Sequence, residues 1–297
     1  MSSRTYTLPM SYGEVPVTVT ERGAGAPVLL LHGGAGPGSF IGFADQLAAR
    51  FPFRVLTPVN PGFDGTPRPE GLDSVHKLAE VYGRLLAELE LTGVTVVGNS
   101  IGGWVAAELA LAAPDRVARL VVIDGAGLDS AEHPPADFAT LTLDQITELS
   151  WANPEGHRID LSALTDAQRA IAGGNRAALM AYSGPSMADP TLAARLSGVT
   201  ADTLVVWGEA DRMFTPGYGK EYAAAIPGAS FRLLPGAGHL PQLETPEAVL
   251  ALFAGARARQ RHDRVLLAVD NTGNNTRSLS LDGASGRTRW RGTRGRP

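Results

Sequence analysis

The fold of this chain is decided by the segment Val94-Thr-Val-Val-Gly-Asn-Ser100-Ile-Gly-Gly-Trp-Val-Ala-Ala-Glu108. A short apolar run at 94–97 leads into Gly-x-Ser-x-Gly, and an alanine-rich run that favours helix follows at 104–113. A sharp strand-to-helix turn strains the backbone, so glycine is needed on both sides of Ser100, where a Cβ would collide with neighbouring elements. This pattern is a nucleophile elbow. It predicts that Ser100 projects from the end of a strand as a nucleophile.

The composition indicates a globular protein with a large core. The chain has 297 residues, of which 44% are hydrophobic and 19% are charged, enough for one large domain or a core with an insertion. A formal net charge of -4 argues against a dedicated nucleic-acid binder. Because the chain has no cysteine, disulfides, thiolate metal sites and a cysteine nucleophile are excluded.

The beginning of the chain carries no targeting signal that we recognise. The first ten residues lack an apolar signal segment, and no apolar run approaches the length of a membrane span. We therefore expect a cytoplasmic protein, monomeric or homodimeric, that acts on a small-molecule substrate and binds neither nucleic acid nor membrane.

Strand and helix patterns alternate along most of the chain, as in a mostly parallel α/β sheet flanked by helices. Strands are predicted at 15–21, 28–31, 53–57, 94–97, 120–123, 203–207 and 230–234, and helices at 75–91, 104–113, 216–226 and 246–256. The stretch 128–199 breaks this rhythm, since it has helical patches at 143–151, 166–172, 176–182 and 191–196 but no convincing strand. It is predicted to be a helical cap inserted between two sheet strands.

The predicted organisation is therefore a core at 1–127, the cap at 128–199, the rest of the core at 200–256 and a basic tail at 257–297. The tail holds ten arginines and three acidic residues, a net +7, and its only apolar run is 265–269. We interpret it as a flexible or poorly packed extension with one short strand or helix. A basic patch for acidic partners and an altered or artificial terminus are the alternatives.

A serine nucleophile needs a base, and His239 is the best-placed histidine. It lies in a glycine-rich loop, Pro235-Gly-Ala-Gly-His239, directly after the last predicted strand. Since parallel strands end at the same edge of a sheet, this loop and the Ser100 elbow can meet there. The other histidines are expected to be solvated or packing side chains. They are His76 at a helix start, His133 and His157 in the cap, and His262 in the tail.

The base in turn needs an acid that orients its ring and stabilises its charged form. Asp211 follows the strand 203–207 in Gly208-Glu-Ala-Asp211-Arg212, at the same sheet edge. Asp124, which follows the strand 120–123, is the alternative, although its segment leads into the cap. Asp211 is preferred for this reason, and it gives the chain order Ser, Asp, His that this architecture uses.

A developing oxyanion requires two backbone N–H donors. The glycine-rich stretch His32-Gly-Gly-Ala-Gly-Pro-Gly38 lets the backbone approach a substrate, so the amides of Gly34 and Ile101 are predicted to form an oxyanion hole. His32 is expected to brace this loop by hydrogen bonding. The loop lacks the features of a phosphate-binding motif, and no metal-ligand motif is present, so neither a cofactor nor a metal is predicted.

Five motifs together make the chain resemble the α/β-hydrolase fold family over residues 1–256. They are His32-Gly-Gly-Ala-Gly-Pro-Gly38, Pro61-Gly-Phe-Asp-Gly65, Gly98-Asn-Ser-Ile-Gly-Gly103, Trp207-Gly-Glu-Ala-Asp-Arg212 and Gly238-His-Leu-Pro-Gln-Leu-Glu244. Within the family, the first and third motifs look like those of carbon–carbon bond hydrolases that cleave ring-fission products of aromatic degradation, 2-hydroxy-6-oxodienoates.

Two features bear on the subclass that this resemblance implies. Those carbon–carbon hydrolases usually carry tryptophan after the catalytic histidine, where this chain has Leu240, and a cap arginine that binds the substrate carboxylate, to which Arg169 or Arg176 would correspond. The ending Leu-Pro-Gln-Leu-Glu244 looks more like general esterases and cofactor-free haloperoxidase relatives. The family also has members that bind or rearrange a ligand without hydrolysing it.

The cap is expected to select the substrate. Its apolar side chains either line an acyl pocket or pack within the cap; they are Phe138, Leu141, Leu143, Ile146, Trp151, Met180, Tyr182 and Met187. Arg158, Arg169 and Arg176 are the cationic candidates. The leading hypothesis is a serine hydrolase for a small or medium apolar carboxylic ester. A carbon–carbon bond hydrolase and a ligand-binding or non-hydrolytic protein are the alternatives.

Overall fold

The computed structural model describes residues 1–158 and 160–254. Its strands are β1 Ser2–Met10, β2 Gly13–Gly23, β3 Ala26–Leu31, β4 Phe53–Pro58, β5 Val94–Asn99, β6 Val117–Ile123, β7 Gly127–Leu128, β8 Ala188–Asp189, β9 Asp202–Gly208 and β10 Ser230–Leu234. Its α-helices are α1 Gly38–Arg50, α2 Val75–Glu88, α3 Ile101–Ala112, α4 Leu143–Ser150, α5 Asp166–Ser183, α6 Leu192–Leu196, α7 Pro216–Ala224, α8 Pro241–Glu244 and α9 Pro246–Ala254. Short 3-10 turns lie at Pro154–His157 and Leu161–Ala163.

Within this described part, eight strands form one sheet in the order β1-β2-β4-β3-β5-β6-β9-β10. From β4 to β10 all neighbours are parallel, whereas β1–β2 and β2–β4 are antiparallel. Because these strands are parallel, the carboxyl ends of β3, β5, β6, β9 and β10 lie at one edge, and the strand order reverses between β3 and β5. Such a switch point is where open α/β sheets bind their ligands. The mostly parallel sheet predicted from the sequence is confirmed.

Helix–sheet packing buries the apolar strands, as a parallel sheet requires. Helix α3 packs on β5 and β6 and against α2, while α1 packs on β4 and α7 on β9. The α2 helix begins where Ser74 accepts a hydrogen bond from the amide of Lys77, and its buried face carries Leu78, Tyr82 and Leu85. These helices fix the sheet edge at which β5 and α3 meet.

The segment between β7 and β9 contains α4, α5 and α6. Capping boxes begin two of them, with Thr142 and Gln145 at α4 and Thr165 and Gln168 at α5. A partly buried ion pair attaches this segment to α3, since Arg195 donates to both carboxylate oxygens of Glu108 at 2.6 and 2.7 Å. The proposed division into core and cap at 128 and 199 stays a prediction.

Several local expectations were wrong. The patches 166–172 and 176–182 form one helix, α5, because the glycines between them adopt helical geometry rather than ending it. Two short strands, β7 and β8, pair in parallel within a stretch in which no strand was predicted. Strand β1 and helix α1 were not predicted at all. The tail prediction for 257–297, including its apolar run 265–269, lies outside the described residues.

No helix in the described ranges combines the length and the apolar character that crossing a bilayer would require. The longest, α5, has 18 residues.

Candidate active site

Ser100 lies at the strained turn between β5 and α3. Its backbone has φ 57° and ψ -125°, a conformation that side chains other than glycine rarely adopt. The flanking glycines are sterically required: a Cβ on Gly98 would lie 2.0 Å from the carbonyl oxygen of Gly102, and one on Gly102 would lie 2.1 Å from that of Leu31. The strand, the turn and the helix therefore hold Ser100 at the carboxyl edge of the sheet, in the elbow geometry that its sequence predicted.

Asp211 and His239 form a buried, hydrogen-bonded pair at the same edge. The His239 Nδ1 and Asp211 Oδ2 atoms are 2.8 Å apart. The other carboxylate oxygen of Asp211 accepts the amides of Met213 at 2.8 Å and Phe214 at 3.1 Å, so the carboxylate is fixed on both sides. Because Nδ1 is occupied by the carboxylate, Nε2 is the ring nitrogen left to exchange a proton with a substrate or a nucleophile.

Asp124, the alternative acid, lies beside this pair but plays a different part. Its Oδ1 accepts the amide of Gly208 at 2.8 Å, and its side chain is fully buried. Burial raises the pKa of Asp124 well above its ordinary value, and the neighbouring Asp211 carboxylate raises it further. Because the Asp211 carboxylate is the one that pairs with Nδ1 of His239, the geometry favours Asp211 as the orienting acid.

Asn99 connects the elbow to the histidine loop, which the sequence analysis missed. Its Nδ2 donates to the carbonyl oxygens of His239 at 2.9 Å and Ile123 at 3.2 Å, and its Oδ1 accepts from Gln242 Nε2 at 3.2 Å. All of these groups are buried. A polar residue between an apolar strand and the elbow serine was the only available signal in the sequence.

The oxyanion hole was predicted at the amides of Ile101 and Gly34. Ile101 is the first residue of α3, so its N–H has no acceptor one turn earlier in the helix. Gly34 lines the same cavity as Ser100. The preceding residue approaches the nucleophile so closely that a Cβ on Gly33 would lie 2.8 Å from the Cβ of Ser100. The glycine-rich loop thus approaches the serine closely, and the oxyanion hole itself stays a prediction.

His32 holds this loop by hydrogen bonds, as was expected from the sequence. Its Nε2 accepts the amide of Asn60 at 3.0 Å, and its Nδ1 donates to the carbonyl oxygen of Gly33 at 2.9 Å. Asn60 is held in turn by the hydroxyl of Tyr82. Burial lowers the pKa of His32 to about 4, which the hydrogen bond to Gly33 opposes only in part. The ring is therefore neutral at neutral pH.

This buried neutral ring predicts a loss of stability in mild acid. The unfolded chain binds the His32 proton below about pH 6.5, but the folded protein binds it only below about pH 4. Protonation between these values therefore favours unfolding, and this group alone is expected to lower the free energy of unfolding by about 3 kcal/mol from pH 7 to pH 4. Denaturant unfolding of wild type and His32→Gln at several pH values measures it. Parallel pH profiles of the two proteins would contradict the assignment.

A cavity of about 810 Å³ lies at this edge of the sheet and is lined by Ser100, His239 and residues of the segment between β7 and β9. The predicted substrate-binding residues Trp151, Arg169, Arg176 and Leu240 all line it. Of the apolar cap candidates, Phe138, Leu141, Leu143, Ile146 and Met187 also line it.

The other two cap candidates do not belong to the cavity lining. Tyr182 is buried and donates its hydroxyl hydrogen bond to the carbonyl oxygen of Pro61 at 2.6 Å. Met180 lies two residues before Tyr182, near the end of α5, and does not line the cavity. Arg158 pairs with Glu148 and Glu155 instead of facing the cavity.

The two arginines of the lining already have protein partners. Arg169 forms an ion pair with Asp166 at 2.7 Å. Arg176 donates to the carbonyl oxygens of Phe138 and Ala139 at 3.1 and 3.2 Å, with its guanidinium 4.8 Å from the centre of the Phe138 ring. They place positive charge at the cavity wall, although each would have to share its donors with a bound anion.

His157 was expected to be solvated or packing, and it is a lining residue. Its ring stacks on that of Trp151 with centroids 3.4 Å apart and planes 7° apart. Because His157 lies in a short 3-10 turn, periodicity gave no indication of this contact. The stacked pair forms a flat aromatic wall of the cavity.

Two groups of side chains in the described residues bring three possible metal ligands within 4.8 Å of one another. One is Asp124, Asp211 and His239, which are all buried and include the hydrogen-bonded Asp211–His239 pair. The other is Glu132, His133 and Glu221, a partly exposed group on the surface. Neither has the ligand spacing of a metal-binding motif in the sequence.

Comparison with known proteins agrees with this geometry. The family model described as the alpha/beta hydrolase family matches residues 28–252. The chain belongs to this family. An esterase from Thermogutta terrifontis, solved with malate bound, superposes with a TM-score of 0.70 at 25% sequence identity, covering 87% of this chain and 99% of that one. Membership in the alpha/beta hydrolase family and its fold, implied by the motifs, is thereby confirmed.

Two curated relatives within the family are similar over most of their length. A 2-hydroxy-6-oxononadienedioate/2-hydroxy-6-oxononatrienedioate hydrolase from Cupriavidus pinatubonensis is 28% identical over 275 residues, which cover 83% of this chain and 92% of that protein. A 2-hydroxy-6-oxo-6-phenylhexa-2,4-dienoate hydrolase from Burkholderia cepacia is 25% identical, covering 78% of this chain and 87% of that protein. Together with the esterase, these relatives show that the protein is a hydrolase.

Proposed function

We propose that this alpha/beta hydrolase cleaves a carboxylic ester of a small or medium apolar substrate through an acyl-enzyme. The observation that carries the proposal is the common cavity that is lined by Ser100 of the strained elbow and by His239, whose ring is paired with Asp211. A serine, an oriented imidazole and adjacent backbone donors are the parts that acyl transfer needs.

Each step of such a reaction has a candidate group at this site. Ser100 Oγ attacks the ester carbonyl carbon while His239 Nε2 takes its proton, and Asp211 stabilises the charged ring. The amides of Gly34 and Ile101 hold the developing oxyanion. His239 then gives the proton to the leaving alcohol. Water activated by the same ring attacks the acyl-enzyme, and the carboxylic acid and Ser100 are released.

The cavity supports an apolar acyl or alcohol group of moderate size. Its volume, about 810 Å³, falls in the range of small-molecule sites. Apolar side chains dominate the wall nearest the triad, namely Leu179, Met213, Phe214 and Leu240. Leu240 follows the base directly and leaves room that a larger aromatic residue would occupy.

A second candidate is carbon–carbon bond hydrolysis of a 2-hydroxy-6-oxodienoate. Arg169 and Arg176 favour it, since both line the cavity and a guanidinium is suited to a substrate carboxylate. The Cupriavidus and Burkholderia relatives are named as hydrolases of such compounds. The existing contacts of both arginines argue against it, because Arg169 pairs with Asp166 and Arg176 donates to backbone carbonyl oxygens.

Steady-state hydrolysis of a series of p-nitrophenyl esters, from acetate to long acyl chains, tests the proposal beside an aryl 2-hydroxy-6-oxodienoate. We expect the highest kcat/KM for short or medium acyl chains and little activity on the dienoate. A strong preference for the dienoate, reduced when Arg169 or Arg176 is replaced by glutamine, would establish the second candidate instead. Silence on both substrate classes, with tight ligand binding, would indicate a non-hydrolytic protein.

A further inference from the structure

Both loops that carry the Asp211–His239 pair are hydrogen-bonded to the end of one helix, α4. The last carbonyl groups of a helix have no partner within the helix and must find one elsewhere. Here the amide of Arg212 donates to the carbonyl oxygen of Leu149 at 3.0 Å, and the amide of His239 donates to that of Ser150 at 2.6 Å. The backbone of His239, the proposed base, thus contacts the end of α4 directly, and the cavity residue Trp151 follows that helix.

Glu244 closes this arrangement with two further bonds. Its Oε2 accepts the amide of Gly238 at 2.6 Å, and its Oε1 accepts the amide of Ala152 at 2.8 Å. One carboxylate therefore joins the residue before the base to the residue two positions beyond α4. The contact is close, because a Cβ on Gly238 would lie 2.3 Å from the carbonyl oxygen of Ser150.

We propose that Glu244 is a positioning residue that holds the His239 backbone against the end of α4, and that the reaction steps in which His239 transfers a proton depend on it. The inference rests on the proposed function and deepens it. Glu244 does not touch the reacting atoms.

The hydrogen bonds around His239 explain why the Glu244 carboxylate affects the position of the imidazole ring. The His239 carbonyl oxygen is held by Asn99, its ring by Asp211 and its amide by Ser150. Glu244 fixes the peptide just before it, which sets the direction from which the imidazole enters the cavity. Because a misplacement of about 1 Å can lower a catalysed rate about 100-fold, a looser peptide should weaken proton transfer.

Leaving groups of different basicity separate this role from general loss of structure. A p-nitrophenolate leaves without needing a proton, whereas an alkoxide must receive one from His239. A variant that merely contains less folded enzyme loses activity on both esters equally. A variant with a poorly positioned base loses more activity on the alkyl ester.

Glu244→Gln is the informative change, because glutamine keeps the side-chain size but offers one acceptor oxygen for two amide donors. The matched control is Glu247→Gln, which removes an exposed carboxylate that pairs with Arg50 on the surface. We would measure kcat and KM for p-nitrophenyl butyrate and ethyl butyrate. Rates are normalised to the sites that react with a p-nitrophenyl alkylphosphonate.

In Glu244→Gln we expect kcat for the ethyl ester to fall about tenfold more than kcat for the p-nitrophenyl ester, with little change in KM. In Glu247→Gln both should stay at the wild-type level. Equal losses on the two esters, or no loss on either, would overturn the positioning role.

The failure of the proposed function is distinguishable from the failure of this inference. If the wild-type enzyme hydrolyses neither ester, the proposed function fails, and the rate at which the phosphonate modifies Ser100 becomes the readout. Slower modification in Glu244→Gln than in Glu247→Gln would still support the positioning role. Equal rates of modification would refute it.

Discussion

Replacing Ser100 by alanine is expected to lower kcat for p-nitrophenyl butyrate by about a million-fold, because no acyl-enzyme can form. Folding should persist, since the strained turn is held by Gly98 and Gly102 and alanine keeps the Cβ of serine. Steady-state kinetics and thermal unfolding of the same preparation measure both effects.

Ser197→Ala provides the matched control for this substitution. Ser197 is an exposed serine that follows α6, and its hydroxyl donates to the carbonyl oxygen of Ala194. Its kinetics should equal those of the wild type. Appreciable turnover by Ser100→Ala, in a preparation free of wild-type enzyme, would show that another group performs the chemistry.

The second large effect is expected at the acid. Asp211→Asn should lower kcat by about 10,000-fold, because the amide removes the negative charge beside the imidazole and favours the wrong ring tautomer. Asp124→Asn should stay within about tenfold of the wild type, since its Oδ1 can still accept the hydrogen bond from the Gly208 amide and the partner of His239 is Asp211. The pH profile of kcat/KM for both variants is the measurement.

This pair of variants decides between the two acids that the sequence left open. A large loss in Asp124→Asn together with a mild one in Asp211→Asn would reverse the assignment. Equal large losses would mean that the two buried carboxyl groups act as one unit, which a double variant would reveal by its lack of further loss.

The sequence predicted those parts of the site that lie in short motifs at strand ends. Ser100, Asp211 and His239 each follow an apolar run, and the rule that parallel strands end at one edge was enough to bring them together. The Gly33–Gly34 approach was equally readable, because only glycine permits it. What these patterns could not supply was the network between the loops: Asn99 and Glu244 act across gaps of 140 and 92 residues.

The failures in the fold have a common physical origin. Helix α1 opens with glycine and serine directly after the glycine-rich loop, so its local propensity is weak, and it forms because Phe40, Phe43 and Leu47 are buried. Strand β1 is stabilised by pairing with β2 along its whole length. In both cases tertiary contacts outweigh the residue preferences that a sequence pattern reports.

Helix α5 carries adjacent glycines at positions 173 and 174, and Gly173 borders the cavity with no atom within 4 Å of where a Cβ would stand. Glycine inside a helix costs about 1 kcal/mol relative to alanine. A mutation to alanine at this position would therefore strengthen the helix and narrow the chamber at the same time. Selection for higher thermal stability would therefore favour alanine at position 173, whereas selection for bulkier substrates would favour glycine.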